Sequence, residues 1–152
     1  MPKASVKRLI ECKKNDLINL VLDIEKYPEF VPFCFDAKIY ENKNEDDLIK
    51  IIADLTIGKG PFKDTYKSDV VFNKKNNTIF VKNIDGPLNH LSNNWTFIEK
   101  ANDITEVTFD IDFEIRNKFL NSLMVVSFQF GLEKIADAFQ KRAKELFSNS
   151  KD

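Results

Sequence analysis

The sequence has one histidine, two cysteines, three arginines, one tryptophan and four glycines in 152 residues. Each scarcity excludes something. A lone His90, with Cys12 and Cys34 far apart, argues against a zinc site, which takes four nitrogen or sulfur ligands. Two cysteines are too few for a disulfide scaffold, and buried, reduced thiols are favoured over a bridge. Gly58 and Gly60 end a strand and lack the Lys-Ser/Thr of a phosphate-cradling loop. No apolar run is long enough to cross a bilayer, and the N-terminus lacks a signal-peptide core. Net charge is scarce too: 23 basic against 24 acidic residues leave −1, which argues against a protein that coats nucleic acid. The expectation is one soluble domain over residues 1–152, in the cytoplasm.

What is present can build a core, since 43% of the residues are hydrophobic and a chain of this length buries most of its apolar surface. Phenylalanine is abundant, with 14 copies, so the interior either packs tightly or leaves shaped gaps between rigid rings. An AT-rich genome, suggested by the excess of Lys over Arg, accounts for the same count.

Periodicity places the elements. Residues 4–12 read as a strand with Val6 and Ile10 on one face. Asn15 and Asp16 open a helix over roughly 16–23, with Leu17, Leu20, Val21 and Ile24 apolar and a stop before Pro28. From Cys34 to Arg116 the pattern changes to strands. Ile49, Ile51, Ala53, Leu55 and Ile57 alternate on one face. Phe62–Phe72, Thr78–Ile84 and Leu91–Glu99 follow, separated by polar turns. In the last strand Val107, Phe109, Ile111, Phe113 and Ile115 oppose Thr108, Asp110, Asp112, Glu114 and Arg116, so one face meets a core and the other water. Lys118–Ser148 is one long helix, with Met124, Phe128, Leu132, Ile135, Phe139 and Leu146 as its inward stripe. A curved antiparallel sheet wrapped on that helix is the economical packing.

Catalytic constellations are thin. His90, beside a turn, reads as a surface or packing residue in preference to a general base. Asp110, Asp112 and Glu114 lie opposite the apolar face and read as a solvated face. Polar groups that a cavity enzyme needs could come only from Asp64, Tyr66, Ser68 and Asn93, whose strand faces stay open at this stage. Lys141, Arg142 and Lys144 complement the dipole at a helix C-terminus and form no RNA-reading stripe.

Three blocks carry a resemblance: Tyr27-Pro28-Glu29-Phe30-Val31-Pro32-Phe33-Cys34; Asp85-Gly86-Pro87-Leu88-Asn89-His90-Leu91 with Trp95 and Phe97; and Asp112 to Lys118 with Ala138 to Ala143. Together they resemble the coenzyme Q-binding, START-like proteins of the polyketide cyclase/lipid-transport superfamily, whose bacterial branch includes ribosome association toxins. The resemblance implies an α+β helix-grip fold: six or seven antiparallel strands around the long C-terminal helix, with an apolar cavity between. It also implies binding of ubiquinone or a related isoprenoid, in support of respiration and quinone biosynthesis, without catalysis and without a further cofactor. A ribosomal-subunit antagonist is the second reading and a cyclase the third.

On this basis the ligand-binding set, cavity and mouth, is Tyr27, Phe30, Phe33, Phe62, Tyr66, Phe72, Trp95, Phe97, Phe109, Met124, Phe128, Gly131 and Leu132. Tyr27 to Phe33 is expected at the mouth, with a packed corner as the competing arrangement. Gly131 costs the helix about 1 kcal/mol against Ala, which points either to close packing of helix on sheet or to room for a ligand. Phe119, Leu123, Val126 and Phe130 form a second stripe on the opposite face of the same helix, without a charge between Phe119 and Leu132. That stripe needs cover from the membrane surface at its inner face, from a second subunit, from the ligand tail, or from the first helix and its loop.

Overall fold

The computed structural model describes residues 3–59, 61–85, 88–115 and 118–147. Within these, the side chains of Lys59, Phe62, Asp85, Leu88, Asn89, Ile115 and residues 119–128 lie outside the description. The elements run β1 (Lys3–Ile10), α1 (Lys14–Leu22), a 3₁₀ turn (Ile24–Glu29), β2 (Cys34–Glu45), β3 (Leu48–Lys59), β4 (Phe62–Asn73), β5 (Thr78–Asp85), β6 (Leu88–Ala101), β7 (Ile104–Ile115) and α2 (Lys118–Phe147).

Seven antiparallel strands form one sheet in the order β1-β7-β6-β5-β4-β3-β2. Strands β2 to β7 are a meander because each neighbour is reached through a short turn. Asp46, Asn77 and Asp103 sit at positive φ in the β2–β3, β4–β5 and β6–β7 turns, a conformation that short polar side chains tolerate. Register shifts in β2–β3, β4–β5 and β6–β7 bend the strands and curve the sheet. The expected helix-grip architecture is present.

Alternation sorts the side chains into rows across the inner face. One row is Val6, Phe109, Trp95, Ile79, Phe72 and Ile49; the next is Ala4, Ile111, Asn93, Val81, Val70 and Ile51. Helix α2 follows the free edge of β1. Gln140 Nε2 donates to the Leu9 carbonyl at 3.5 Å and Gln129 Nε2 to the Ser5 carbonyl at 3.4 Å. Arg8 pairs with Asp137 between them. The edge that would otherwise offer unpaired backbone groups is thereby covered.

Several local expectations are corrected. Helix α1 starts two residues earlier than the expected 16, with Lys13 at the N-cap and no side-chain cap; burial of Leu17, Ile18, Leu20 and Val21 carries it. The stop before Pro28 holds for α1, which ends at Leu22; Pro28 itself lies inside the following 3₁₀ turn, whose φ its ring suits. Ile57 is exposed near the end of β3. Leu146 is 48% exposed, whereas Ala143 is fully buried. The covered side of α2 swings toward Ala143 and Phe147, because the 3₁₀ turn packs on that side through Glu29 and Arg142.

Candidate functional site

The inner face divides into two halves at the row of Trp95. Behind that row an aromatic cluster closes the sheet on the helix. Trp95 stacks on Phe109 with centroids 4.3 Å apart and meets the edge of Phe139 at 5.1 Å. Phe139 also meets Phe30 at 5.1 Å and Tyr27 at 5.5 Å, and Phe97 stacks with Trp95 at 6.3 Å. The gap left between Val6, Val21, Phe97, Val107 and Ala136 is about 20 Å³. A quinone needs hundreds of cubic ångströms, so this half is core. Phe72 and Leu132 are buried in the same core.

The loop after α1 is anchored at several points. The Tyr27 hydroxyl donates to the Val21 carbonyl, and the Ile39 N–H donates to Glu25 Oε2 at 2.7 Å. Arg142 lies 5.0 Å from the Phe30 ring centre and pairs with Glu29 at 2.6 Å. Tyr27 and Phe30 therefore occupy a packed corner, the competing arrangement at the sequence level. Phe33 stands apart from them. Its φ is 72°, uncommon for a bulky side chain, and its carbonyl accepts from the Gly58 N–H at 2.9 Å. Its ring lies 3.7 Å from the position a Cβ on Gly131 would take. The open side of Gly131 thus meets a ring of the loop, not the sheet.

Ahead of the Trp95 row the inner face changes character. Val70, Val81, Leu91 and Phe113 are buried, but polar groups interrupt them. Ser68 is fully buried, and its hydroxyl donates to the Ala53 carbonyl at 3.2 Å. Asn83 Oδ1 accepts from the Leu91 N–H at 2.9 Å. Asn93 Oδ1 is shut off from solvent and has no hydrogen-bond partner among the described residues. Tyr66 is buried at the far end, and that burial, with Cys34 nearby, pushes its phenol up, so it remains an O–H donor. Of the four polar candidates, Tyr66, Ser68 and Asn93 share this face; Asp64 is exposed at the end of β4 and accepts from the Thr65 N–H.

Phe62, Met124 and Phe128 from the expected ligand set lie outside the described side chains, as do Phe119, Leu123 and Val126 from the second stripe. Phe130, the remaining member of that stripe, is 65% exposed, with Lys134 Nζ 5.0 Å from its ring centre. Sequence reasoning missed Asn83 and the closing role of Phe139. Asn83 could have been found, because it shares parity with Ile79 and Val81 on the inward face of β5.

Groups that could do covalent chemistry are quiet. Burial pushes the Cys12 and Cys34 thiols up to about 11, so neither is a thiolate near neutrality. His90 sits on β6 with Nε2 3.6 Å from Asp112 Oδ2, and Ser5 donates to Asp110. Both acids face outward, where Ser92, Asn94 and Phe80 join them around an open trough of about 630 Å³ that also reaches Ala4, Asn93 and Ile111 of the inner rows and Gln129 of α2. Among the described residues no three His, Cys, Asp or Glu side chains come together as a metal site. No helix of the described structure is long and apolar enough to cross a membrane.

Comparison with known proteins agrees with this geometry. Residues 13–140 match the family described as polyketide cyclase / dehydrase and lipid transport. The chain is 32% identical to the ribosome association toxin RatA of Rickettsia prowazekii, over 91% of this chain and 94% of that protein. It is also 32% identical to the mitochondrial coenzyme Q-binding protein COQ10 of Dictyostelium discoideum, over 90% of this chain and 66% of that one. A START superfamily protein from Mycobacterium smegmatis superposes with a TM-score of 0.81 at 18% identity, covering 95% of this chain and 98% of its own. The match over most of the chain settles its kinship: it belongs to the polyketide cyclase / dehydrase and lipid transport family.

Proposed function

We propose that this protein binds ubiquinone or a related isoprenoid lipid against the forward half of its inner face. It acts as a carrier or chaperone in support of respiration and quinone biosynthesis, without transforming the ligand. One observation carries the reading. Apolar rows of the sheet are interrupted by Tyr66, Ser68, Asn83 and Asn93, the lining expected for a long apolar body with a small polar head. The likeness to a protein named for coenzyme Q binding supports the choice of ligand. Protonated thiols support the non-catalytic role. The exposed Phe130 ring beside Lys134 gives α2 a contact suited to a membrane surface.

Organic extraction of the purified protein followed by mass spectrometry tests this reading. A co-purifying isoprenoid quinone is the expected result. Lipid-free protein that also fails to take up quinone from vesicles overturns it.

A second reading, antagonism of the large ribosomal subunit, is favoured by the likeness to a ribosome association toxin over nearly that protein's whole length. An outer-face patch of lysines and exposed aromatic rings, with Asp54 between Lys38 and Lys67, offers stacking surfaces of the kind RNA uses. Lys63 Nζ lies 4.3 Å from the Phe35 ring centre, and Lys38 and Lys67 flank Tyr40 at 5.0 and 4.7 Å. Co-sedimentation with large subunits that is lost in a Lys63→Glu/Lys67→Glu variant would support it. Sedimentation free of subunits would sink it.

A further inference from the structure

Asn93 is anomalous in its row. Its neighbours across the sheet are Ile111 on β7 and Val81 on β5, with Val70 and Ile51 beyond. Its carbonyl oxygen is buried and unpaired. A buried polar atom without a partner costs about 1–3 kcal/mol, and a valine there would continue the row at no such cost. The neighbouring polar groups are already employed: Ser68 bonds the Ala53 carbonyl and Asn83 accepts from the Leu91 N–H. Among the described residues of this face, the Asn93 carboxamide is the one with a buried and unpaired acceptor, whereas Tyr66 offers a donor at the far end.

Its position also sets a direction. Asn93 is two residues from Trp95, on the same face of β6, so the two side chains are roughly 7 Å apart. Behind Trp95 the aromatic cluster leaves no ligand-sized space. Toward the other end of β3 and β4 stand Tyr66, near Cys34 and Tyr27, and Gly58, whose N–H meets the Phe33 carbonyl. On β4, Tyr66 is six residues from Phe72 of the Trp95 row, roughly 20 Å away.

We infer that Asn93 selects the ligand's head group: a polar ring enters first, hydrogen-bonds to the Asn93 carboxamide beside Trp95, and leaves its apolar tail directed toward Tyr66 and Phe33. This inference rests on the proposed lipid-binding reading and adds to it the orientation of the ligand and the residue that discriminates.

Trp95 is the single tryptophan of the chain, so its emission reports where a quinone ring comes to rest. The probes are decylubiquinone and decylbenzene, which share a ten-carbon tail on a six-membered ring; decylbenzene lacks the quinone carbonyls, the methoxy groups and the ring methyl. Wild-type protein is expected to bind decylubiquinone about ten-fold more tightly, the factor one hydrogen bond supplies, with strong quenching of Trp95. Asn93→Val is expected to keep its affinity for decylbenzene, lose the ten-fold preference and melt at a higher temperature when unliganded.

Decylubiquinone that binds by equilibrium dialysis yet leaves Trp95 emission unchanged overturns the inference while sparing the lipid-binding reading. So does a preference that survives in Asn93→Val. Binding of neither probe removes the underlying reading, and the inference with it. Should Asn93→Val fail to fold, the wild-type quenching measurement alone decides.

Discussion

Trp95 and Asn93 are two residues apart on one strand, yet they stand in regions built on opposite terms. The Trp95 row is ring against ring, backed by Phe139 and sealed to a gap of about 20 Å³. The Asn93 row ahead of it holds an unpaired carbonyl oxygen in an otherwise apolar run. The first region maximises burial and the second gives some of it up. A fold that departs from its own packing rule within two residues marks the departure as the place where function competes with stability.

The comparison breaks most severely at Phe139, which touches Tyr27, Phe30 and Trp95. Phe139→Ala should lose about 3–5 kcal/mol, as large-to-small aromatic substitutions in cores do. Urea unfolding measures it; a loss below 1 kcal/mol would mean the sealed half is not where stability resides. Phe30 belongs to the same cluster but is only partly buried, so Phe30→Ala should cost about 2 kcal/mol. Quinone uptake should be unchanged, because the ring packs on Phe139 and Arg142. Weakened uptake at unchanged stability would move the loop from the sealed half to the ligand.

The thiols give a smaller effect with a defined sign. Cys12 and Cys34 rise from 9.0 to about 11 on folding. Their contribution is fully present below pH 9 and is lost as pH rises toward 11, because the unfolded chain releases these protons first. Melting temperature should fall across that window, and a maleimide should label native protein slowly at pH 8. Rapid labelling of the native state would contradict the burial of both sulfurs. The smallest expected effect is favourable. In Gly131→Ala the new Cβ would meet the Phe33 ring at an ordinary 3.7 Å, so the helix should gain up to about 1 kcal/mol. Destabilisation would show that the glycine is kept for something other than Phe33.

The sheet was legible because its inward residues recur at a period of two, most plainly from Val107 to Phe113. Strand β2 was not delimited in advance, since Asp36–Glu45 is largely exposed at the sheet edge and a register shift between Ile39 and Glu41 breaks its two-residue alternation. The cap of α1 misled because tertiary burial of Leu17 and Ile18, and not local chemistry, fixes that helix. Leu146 misled because helical periodicity gives a stripe but not which neighbour covers each end. At the site, Tyr66, Ser68 and Asn93 were visible as residue types but not as a shared face. Register supplied that, and register depends on turns and bulges that one strand's pattern does not encode. That Phe33, and not Phe30, would meet Gly131 depends on a backbone φ of 72°, for which a phenylalanine gives no local signal.

The pairing of β1 with β7 has a kinetic consequence. Ser5 and Asp110 are 105 positions apart, whereas β2 to β7 are joined by turns of a few residues. During synthesis the hairpins can zip locally while the first strand waits without its partner. Closure of that long loop, followed by docking of α2 along β1 through Gln129 and Gln140, is the step with the largest entropic cost. The sealed aromatic half should therefore be completed last, and Trp95 emission is expected to follow the slowest phase of refolding.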